Sequence, residues 1–112
     1  MADVKFPFGA GSSVALTATG DQNITLDDMF TYVDGVTVEA TGNRTLNLTF
    51  GDGVALGAKL LVASKTNGTE TTIFGTGITS ATITGGAGKT KVQEFTFDGT
   101  GFIPTGASVQ ID

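Results

Sequence analysis

The strict alternation of apolar and polar residues is the feature that most constrains the fold of this chain. In Thr45-Leu46-Asn47-Leu48-Thr49-Phe50, the apolar side chains occupy every second position. Because successive side chains of a β-strand point to opposite faces, this segment predicts a half-buried strand. The same period of two recurs in four other short segments, at residues 36–39, 81–84, 94–97 and 108–111. We therefore expect an all-β protein.

One predicted strand lacks this alternation. Lys59-Leu60-Leu61-Val62-Ala63 is apolar at four consecutive positions. A strand of this kind is typical of a sheet that is covered on both faces. The segment predicts either a strand buried on both sides or one whose outer face contacts a partner.

Dipeptides that favour tight turns separate the predicted strands. Asp-Gly and Asn-Gly tolerate the positive φ angles that two-residue hairpin turns require. Four such pairs occur: Asp34-Gly35, Asp52-Gly53, Asn67-Gly68 and Asp98-Gly99. They predict that hairpins connect strands that are neighbours in sequence.

One segment permits two interpretations. Leu26, Met29, Phe30 and Val33 recur at helical spacing. Thr25, with an acid at position 28, resembles a capping box at the start of a helix. The segment predicts either a short helix near residues 26–33 or a strand from Met29 to Val33.

The number of alternating segments indicates the architecture. Roughly eight strands with turns at short intervals predict a two-layer β-sandwich, jelly-roll-like or Ig-like. A chain of 112 residues has the size of one domain. We expect an N-terminal arm at residues 1–11 and a single sandwich domain at residues 12–112.

The residue inventory excludes most catalytic chemistry. The chain has no His and no Cys, so it cannot supply an imidazole base, a thiolate nucleophile, a disulfide or a cysteine–histidine zinc site. The acids mostly fall in predicted turns or on polar strand faces, and Asp27-Asp28 lacks the other ligands of a calcium loop. We expect no catalytic residue, metal or cofactor; an enzyme would depend on an acid such as Glu70 or Glu94.

A glycine-rich segment partly matches a phosphate-binding loop. Gly85-Gly86-Ala87-Gly88-Lys89-Thr90 ends like that motif. Its required first glycine is replaced by Ile83, and the residues that follow alternate like a strand instead of opening a helix. The segment therefore predicts a connection between strands.

The net charge disfavours two classes of partner. Six Lys and Arg against eleven Asp and Glu give a formal charge of -5. Such a chain repels phosphate backbones and anionic lipids. No apolar stretch approaches the length of a membrane span, and the first residues lack a secretory signal pattern. We expect neither a nucleic-acid nor a membrane partner, and synthesis and use without export.

The N-terminal arm contains the candidate partner-binding residues. Phe6 and Phe8 flank Pro7 just before Gly9-Ala10-Gly11. Such an arm can form an edge strand of its own sheet, or it can dock as an extended peptide on a neighbouring subunit. Sugar binding is less favoured, because carbohydrate modules commonly stack rings on exposed aromatics, and the chain has no Trp and only one Tyr, Tyr32.

The residues from Thr45 onward carry a family resemblance. The segments that match, in order, are Thr45-Leu46-Asn47-Leu48, Gly57-Ala58-Lys59-Leu60-Leu61-Val62, Thr72-Ile73-Phe74-Gly75-Thr76-Gly77, Ala87-Gly88-Lys89-Thr90 and Glu94-Phe95-Thr96-Phe97-Asp98-Gly99-Thr100-Gly101-Phe102. This half of the chain resembles a β-domain of virion structural proteins of tailed bacteriophages, including tail and head fibres. In that family a Trp or Tyr is common near the position of Phe102, and the chain lacks it.

The resemblance implies a non-enzymatic structural protein of a phage particle. A single small domain without a shaft fits a capsid decoration or cement protein on the outer surface of the head. The implied partners are the major capsid protein or other virion proteins, with the chain itself in a homotrimer. Alternatives are a fibre or receptor-binding module of the virion and a carbohydrate-binding adhesion domain.

Overall fold

A computed structural model describes residues 11–79 and 82–112 of the chain. Ten strands occupy these residues, and no helix is present among them. The strands are β1 Ser12–Ala15, β2 Gly20–Leu26, β3 Phe30–Ala40, β4 Arg44–Phe50, β5 Lys59–Thr66, β6 Thr71–Phe74, β7 Ile83–Thr84, β8 Thr90–Phe97, β9 Phe102–Pro104 and β10 Val109–Gln110.

The strands form two sheets. Sheet A has the order β1-β3-β5-β8-β10, with β9 also paired to β8. Sheet B has the order β2-β4-β6-β7. The apolar residues between them form one packed cluster to which both sheets contribute. The predicted two-layer β-sandwich is confirmed.

The chain winds around the sandwich. It alternates between sheets from β1 to β6, and each strand lies parallel to the one two places earlier. Two parallel neighbours need a crossover connection. Here each connection runs through the intervening strand, which lies in the opposite sheet. Antiparallel strands then close one end, where β7 pairs with β6 and β8 pairs with β5.

Alternation places the core as the sequence predicts. In β4, Leu46 and Leu48 are fully buried between the sheets, whereas the Thr and Asn residues between them face outward. In β8, Phe95 and Phe97 are buried. Aromatic edges meet faces across the core, with ring centroids 4.9 Å apart for Phe50 and Phe97. Such pairs add to the free energy gained from apolar burial.

The predicted hairpins are largely wrong, although most of the predicted turns exist. Only Asp98-Gly99 lies between strands that pair with each other, β8 and β9. Asp52-Gly53 and Asn67-Gly68 lie where the chain crosses between sheets. A turn dipeptide reverses the chain locally but does not determine in which layer the next strand pairs. Consequently four of the eight pairings between the described strands are parallel, unlike the antiparallel jelly-roll and Ig arrangements.

The fourth pair, Asp34-Gly35, lies inside β3. The Asp34 Oδ1 atom accepts hydrogen bonds from the backbone N–H groups of Val36 (2.9 Å) and Thr37 (3.0 Å). The pairing register with β5 shifts between Gly35 and Ala40. The local turn chemistry therefore produces an irregularity within a strand instead of a hairpin.

Of the two interpretations for residues 26–33, the structure has the strand. β2 ends at Leu26 and β3 begins at Phe30. Val33 is fully buried, whereas Phe30 on the opposite face of the same strand is exposed. The Asp27 carboxylate accepts a hydrogen bond from the backbone N–H of Gly53 (2.7 Å). This acid thus holds the loop that follows β4, and no helix forms there.

Candidate binding surface

A buried guanidinium connects the two sheets. Arg44, the first residue of β4 in sheet B, is 2% exposed. Its Nη2 atom donates to the Gly35 carbonyl (2.8 Å) and to the Ser64 hydroxyl (2.9 Å), both in sheet A. Its Nη1 atom donates to the carbonyls of Val38 (2.9 Å) and Thr17 (3.2 Å). One side chain thereby fixes the position of sheet A relative to sheet B.

The environment of Arg44 is polar, and no carboxylate of residues 11–79 and 82–112 forms a salt bridge with it. Burial lowers the pKa of its guanidinium, and the charge of Asp34 acts in the opposite direction. Its Nε atom is buried without a hydrogen-bond partner in the described part of the chain. Close packing leaves no room at Gly35, where an added Cβ would lie 2.7 Å from Arg44 Nη2. We interpret this cluster as structural, because it presents no group to solvent.

Sequence reasoning did not identify Arg44, although a signal was present. The alternation of β4 places residue 44 on the same face as Leu46 and Leu48. An arginine at an inward position predicts a buried, multiply hydrogen-bonded guanidinium.

The outer face of sheet A is rich in exposed apolar side chains. We call this surface face A. The residues in register across it include Phe30 and Ile103 at one end and Val92 and Val109 at the other. Phe30 is 46% exposed, Ile103 41% and Val109 58%. Lys59 and Thr96 lie between Phe30 and Ile103 in the same row, and the Lys59 Nζ atom donates to the Thr96 hydroxyl (2.9 Å). Several exposed apolar side chains on one face commonly mark an interaction site.

The middle of face A explains the strand without alternation. In β5, Leu60 and Val62 are buried in the core. Leu61 and Ala63 alternate to the outer side of the sheet, where Ala63 is itself only 4% exposed. Leu61 is in register with Tyr32 of β3, and both are half-buried. The sequence permitted a second interpretation, in which the outer side of this strand contacts a partner. That interpretation remains a prediction, and face A is the surface on which the contact would form.

The outer face of sheet B has the opposite character. We call this surface face B. Its outward side chains alternate with the buried positions of sheet B and are almost all Thr or Asn. They are Asp21, Asn23, Thr25, Thr45, Asn47, Thr49, Thr71, Ile73 and Thr84. The hydroxyls of Thr25 and Thr49 lie 2.8 Å apart. Face B offers hydrogen-bonding groups and little apolar area.

Two acids, Asp34 and Asp98, hold turns through their carboxylates. Hydrogen bonds from the hydroxyl and backbone N–H of Thr37 lower the pKa of Asp34. Backbone N–H groups of Gly101 and Thr100 lower the pKa of Asp98. A general acid at neutral pH needs a raised carboxyl pKa, so both carboxylates have the wrong shift for that role.

The two acids considered for enzymatic activity lie apart in the fold. Glu70 accepts a hydrogen bond from the backbone N–H of Gly68 (2.6 Å) within a loop. Glu94 lies on face A and is exposed. No cluster of acids that could hold a metal ion occurs in residues 11–79 and 82–112.

The phosphate-loop look-alike is a connection between strands, as predicted. The segment lies between β7 and β8. The Gly88 N–H donates to the Thr66 carbonyl (2.9 Å), and the Lys89 N–H donates to the Gly86 carbonyl (2.9 Å). The Lys89 Nζ atom lies 3.3 Å from the backbone carbonyl of Asp112. These amides bind carbonyls of the protein itself instead of forming an anion cradle.

A shallow cleft of about 320 Å³ lies beside the β8–β9 hairpin. Its lining consists of small and polar residues with two isoleucines: Gly75, Gly77, Ile78, Thr79, Asp98, Thr100, Gly101 and Ile103. No aromatic ring lines it, and Tyr32 lies on face A. The cleft therefore lacks the stacking platform that favours a sugar ligand.

The sequence-predicted partner-binding residues, Phe6, Pro7 and Phe8, lie outside the described residues. The candidate surface that the described residues form is face A, which the sequence did not predict. Face A combines residues from five strands, β3, β5, β8, β9 and β10, so periodicity within any one strand could not reveal it.

Comparisons with known proteins add no identity. Protein-family models, curated sequences and solved structures give no match to the chain. In the described residues there is no helix with the length and apolar character that a membrane crossing requires.

Proposed function

We propose that the chain is a non-enzymatic structural protein of a phage particle, a capsid decoration protein that binds the outer surface of the assembled head. The observation that carries the proposal is that Phe30, Ile103 and Val109 are exposed on face A, whereas the outward side chains of face B are almost all Thr or Asn. Such a pair of faces suits a protein that binds a shell on one side and meets solvent on the other. The resemblance of residues 45–102 to virion proteins supplies the class of particle.

The uneven covering of sheet A supports the same proposal. The inner side of sheet A is covered by sheet B, whereas Phe30, Ile103 and Val109 on its outer side remain exposed. A shell subunit packed on face A would complete the burial of this sheet.

Binding to the shell explains how such a protein acts. A ligand that binds the assembled shell but not dispersed subunits stabilises the shell by mass action. A contact of about 800 Å² per partner suffices for specific docking, and repetition of the contact adds avidity if the chain is a homotrimer. The major capsid protein is the expected partner.

The N-terminal arm is the second proposed contact. Deletion of residues 1–11 should leave a folded domain that no longer decorates shells. The measurements are circular dichroism of the shortened chain and its sedimentation with shells. Unfolding of the shortened chain would instead identify the arm as a strand of the core.

The proposal is tested by sedimentation of the chain with empty phage shells and, separately, with dispersed coat subunits. We expect binding to shells only. Replacing Phe30 and Val109 together by Ser should weaken binding at least about tenfold, since each loses roughly 1–2 kcal/mol of apolar burial. The matched control on face B, Thr25→Ser with Thr49→Ser, should bind like the wild type. Equal loss in both variants, or no binding to shells, would contradict the proposal.

A further inference from the structure

The crossing from β5 to β6 holds a carboxylate against a backbone nitrogen. It consists of residues 67–70. The Gly68 N–H donates to the Glu70 Oε1 atom (2.6 Å). An added Cβ at Gly68 would lie 3.2 Å from the Glu70 Oε2 atom, a tighter contact than most Cβ atoms make. The carboxylate therefore approaches this peptide closely because residue 68 has no side chain.

The Asn67 side chain lies free beside the same peptide. Asn67 is exposed, and its carboxamide has no hydrogen-bond partner among residues 11–79 and 82–112. Its backbone is held, because the Asn67 N–H donates to the Ala40 carbonyl (2.9 Å) and the Thr66 hydroxyl donates to the Gly68 carbonyl (2.8 Å). The carboxamide can thus rotate toward the Gly68 nitrogen while the peptide keeps its position.

The other three asparagines of the chain lack this combination. Each precedes a bulky, buried residue of a strand; the pairs are Asn23-Ile24, Asn43-Arg44 and Asn47-Leu48. The carboxamide oxygens of Asn43 and Asn47 also accept hydrogen bonds from backbone N–H groups (2.9 and 3.0 Å). A carboxamide beside a bulky residue in a paired strand cannot reach the nitrogen that follows it.

The arrangement at Asn67 combines a nucleophile, an electrophile and a base. The Gly68 nitrogen is the nucleophile, and the side-chain carbonyl carbon of Asn67 is the electrophile. Adjacent positions in the chain keep these two atoms together. The Glu70 carboxylate lies within hydrogen-bond reach of the proton that must be removed, as a general base requires.

We propose that Asn67 is a self-modification site, at which the chain loses ammonia to form a cyclic imide with Gly68 and water then opens the imide. Glu70 serves as the general base. The reaction occurs once per chain and is not enzymatic turnover, so it is compatible with a structural protein. It does not depend on the proposed binding to a shell.

The atoms balance without an oxidant or a reductant. Glu70 takes the Gly68 N–H proton as the bond from that nitrogen to the Asn67 side-chain carbon forms. The protonated carboxyl group then gives this proton to the side-chain NH2 group, whose bond to the same carbon breaks, and ammonia leaves.

Water is the second reactant, and it can add to either carbonyl of the imide. Addition at the side-chain carbonyl breaks the newly formed bond to the Gly68 nitrogen and gives aspartate. Addition at the backbone carbonyl breaks the original peptide bond and gives isoaspartate, in which the main chain passes through the former side chain.

Both products change the crossing between the sheets. Each adds a negative charge close to the Glu70 carboxylate, in a chain whose formal charge is -5, and like charges that lie close together repel. Isoaspartate also lengthens the main chain between β5 in sheet A and β6 in sheet B. The modification therefore acts on a connection that joins the two layers.

Peptide mapping tests the site directly. Trypsin cleaves after Lys and Arg, so it releases residues 66–89 as a peptide in which Asn67 is the only asparagine. After incubation of the folded chain at neutral pH, we expect aspartate and isoaspartate forms of this peptide, identified by mass spectrometry and by an isoaspartate-specific methyltransferase. The other three asparagines are internal controls and should remain unchanged. No conversion at Asn67, or equal conversion at all four asparagines, would overturn the proposal.

A matched pair of variants tests the base. Glu70→Gln keeps an acceptor for the Gly68 N–H but cannot take its proton, so conversion of Asn67 should slow at least about tenfold. Glu94→Gln, which removes an exposed acid on face A, should react like the wild type. Circular dichroism verifies that both variants are folded.

Unfolding separates the effect of the fold from that of the local sequence. In urea the Glu70 carboxylate is no longer held at the Gly68 nitrogen, so the wild type and Glu70→Gln should convert at the same rate. Equal rates of these two chains when both are folded would contradict the role of Glu70. A difference that persists in urea would show that the sequence alone, and not the folded geometry, sets the rate.

Discussion

Face A and face B are the two sides of one sandwich, and the sheets beneath them both contain parallel and antiparallel pairings. On face A, Leu61 lies in register with Tyr32, and Phe30 and Val109 are exposed at its borders. On face B, Thr25 lies in register with Thr49, and their hydroxyls are 2.8 Å apart. The difference shows that the backbone of this fold does not determine which face exposes apolar side chains. The residues at the outward positions of each strand determine it.

The two faces keep their relative positions because Arg44 connects the sheets. We expect Arg44→Leu to lower the free energy of unfolding by about 3 kcal/mol or more, because buried carbonyls and the Ser64 hydroxyl lose their donor. Urea unfolding measures this. The control is Lys65→Met, which removes an exposed ion pair of 3.9 Å with Glu39 and should cost less than about 1 kcal/mol. Equal effects would show that the guanidinium does not hold the two faces together.

Face A should bind a hydrophobic dye, and face B should not. Replacing Phe30, Ile103 and Val109 by Ser should reduce the fluorescence of a bound apolar probe several-fold. Since these side chains are exposed, the free energy of unfolding should change by no more than about 1 kcal/mol. Unchanged fluorescence would contradict the assignment of face A as the apolar surface.

The polar character of face B predicts a smaller effect. Thr25→Val removes one hydroxyl of the Thr25–Thr49 pair and should cost about 0.5–1 kcal/mol. Thr25→Ser keeps the hydroxyl and serves as the control in thermal or urea unfolding. A larger loss with Ser than with Val would show that the methyl group, and not the hydrogen bond, stabilises this face.

The smallest expected effect concerns pH. The hydroxyl and backbone N–H of Thr37 hold the pKa of Asp34 below its usual 3.8. A depressed folded-state pKa stabilises the fold above pH 3.8, and the contribution is lost as pH falls from there through the folded pKa. Asp34→Asn should therefore flatten the pH dependence of stability below pH 3.8. Parallel wild-type and variant curves there would contradict this role.

Local patterns in the sequence predicted part of this fold. The alternation of β4 and β8 correctly identified strands and their buried faces, because a period of two is a property of each strand alone. The turn pairs were less informative. Asp52-Gly53 and Asn67-Gly68 reverse the chain, but which sheet receives the next strand depends on contacts far away in sequence.

The candidate surface depended on such distant contacts even more strongly. Leu61, Val92 and Val109 lie on one face only because β5, β8 and β10 are neighbours in sheet A. The segment at residues 59–63 lacks alternation. It indicated either a strand buried on both sides or one whose outer face contacts a partner, and it did not distinguish between them. Arg44 was detectable by extending the alternation of β4 by one period. Its acceptors come from segments that no local pattern brings together: the Ser64 hydroxyl and the carbonyls of Thr17, Gly35, Val38 and Lys65.

The most direct test is an image reconstruction of intact phage particles in which this chain can be traced. The account predicts many copies on the outside of the head, with Phe30 and Val109 against the shell and Thr25 and Thr49 toward solvent. Copies that place face B against the shell, or a head that carries none, would contradict it.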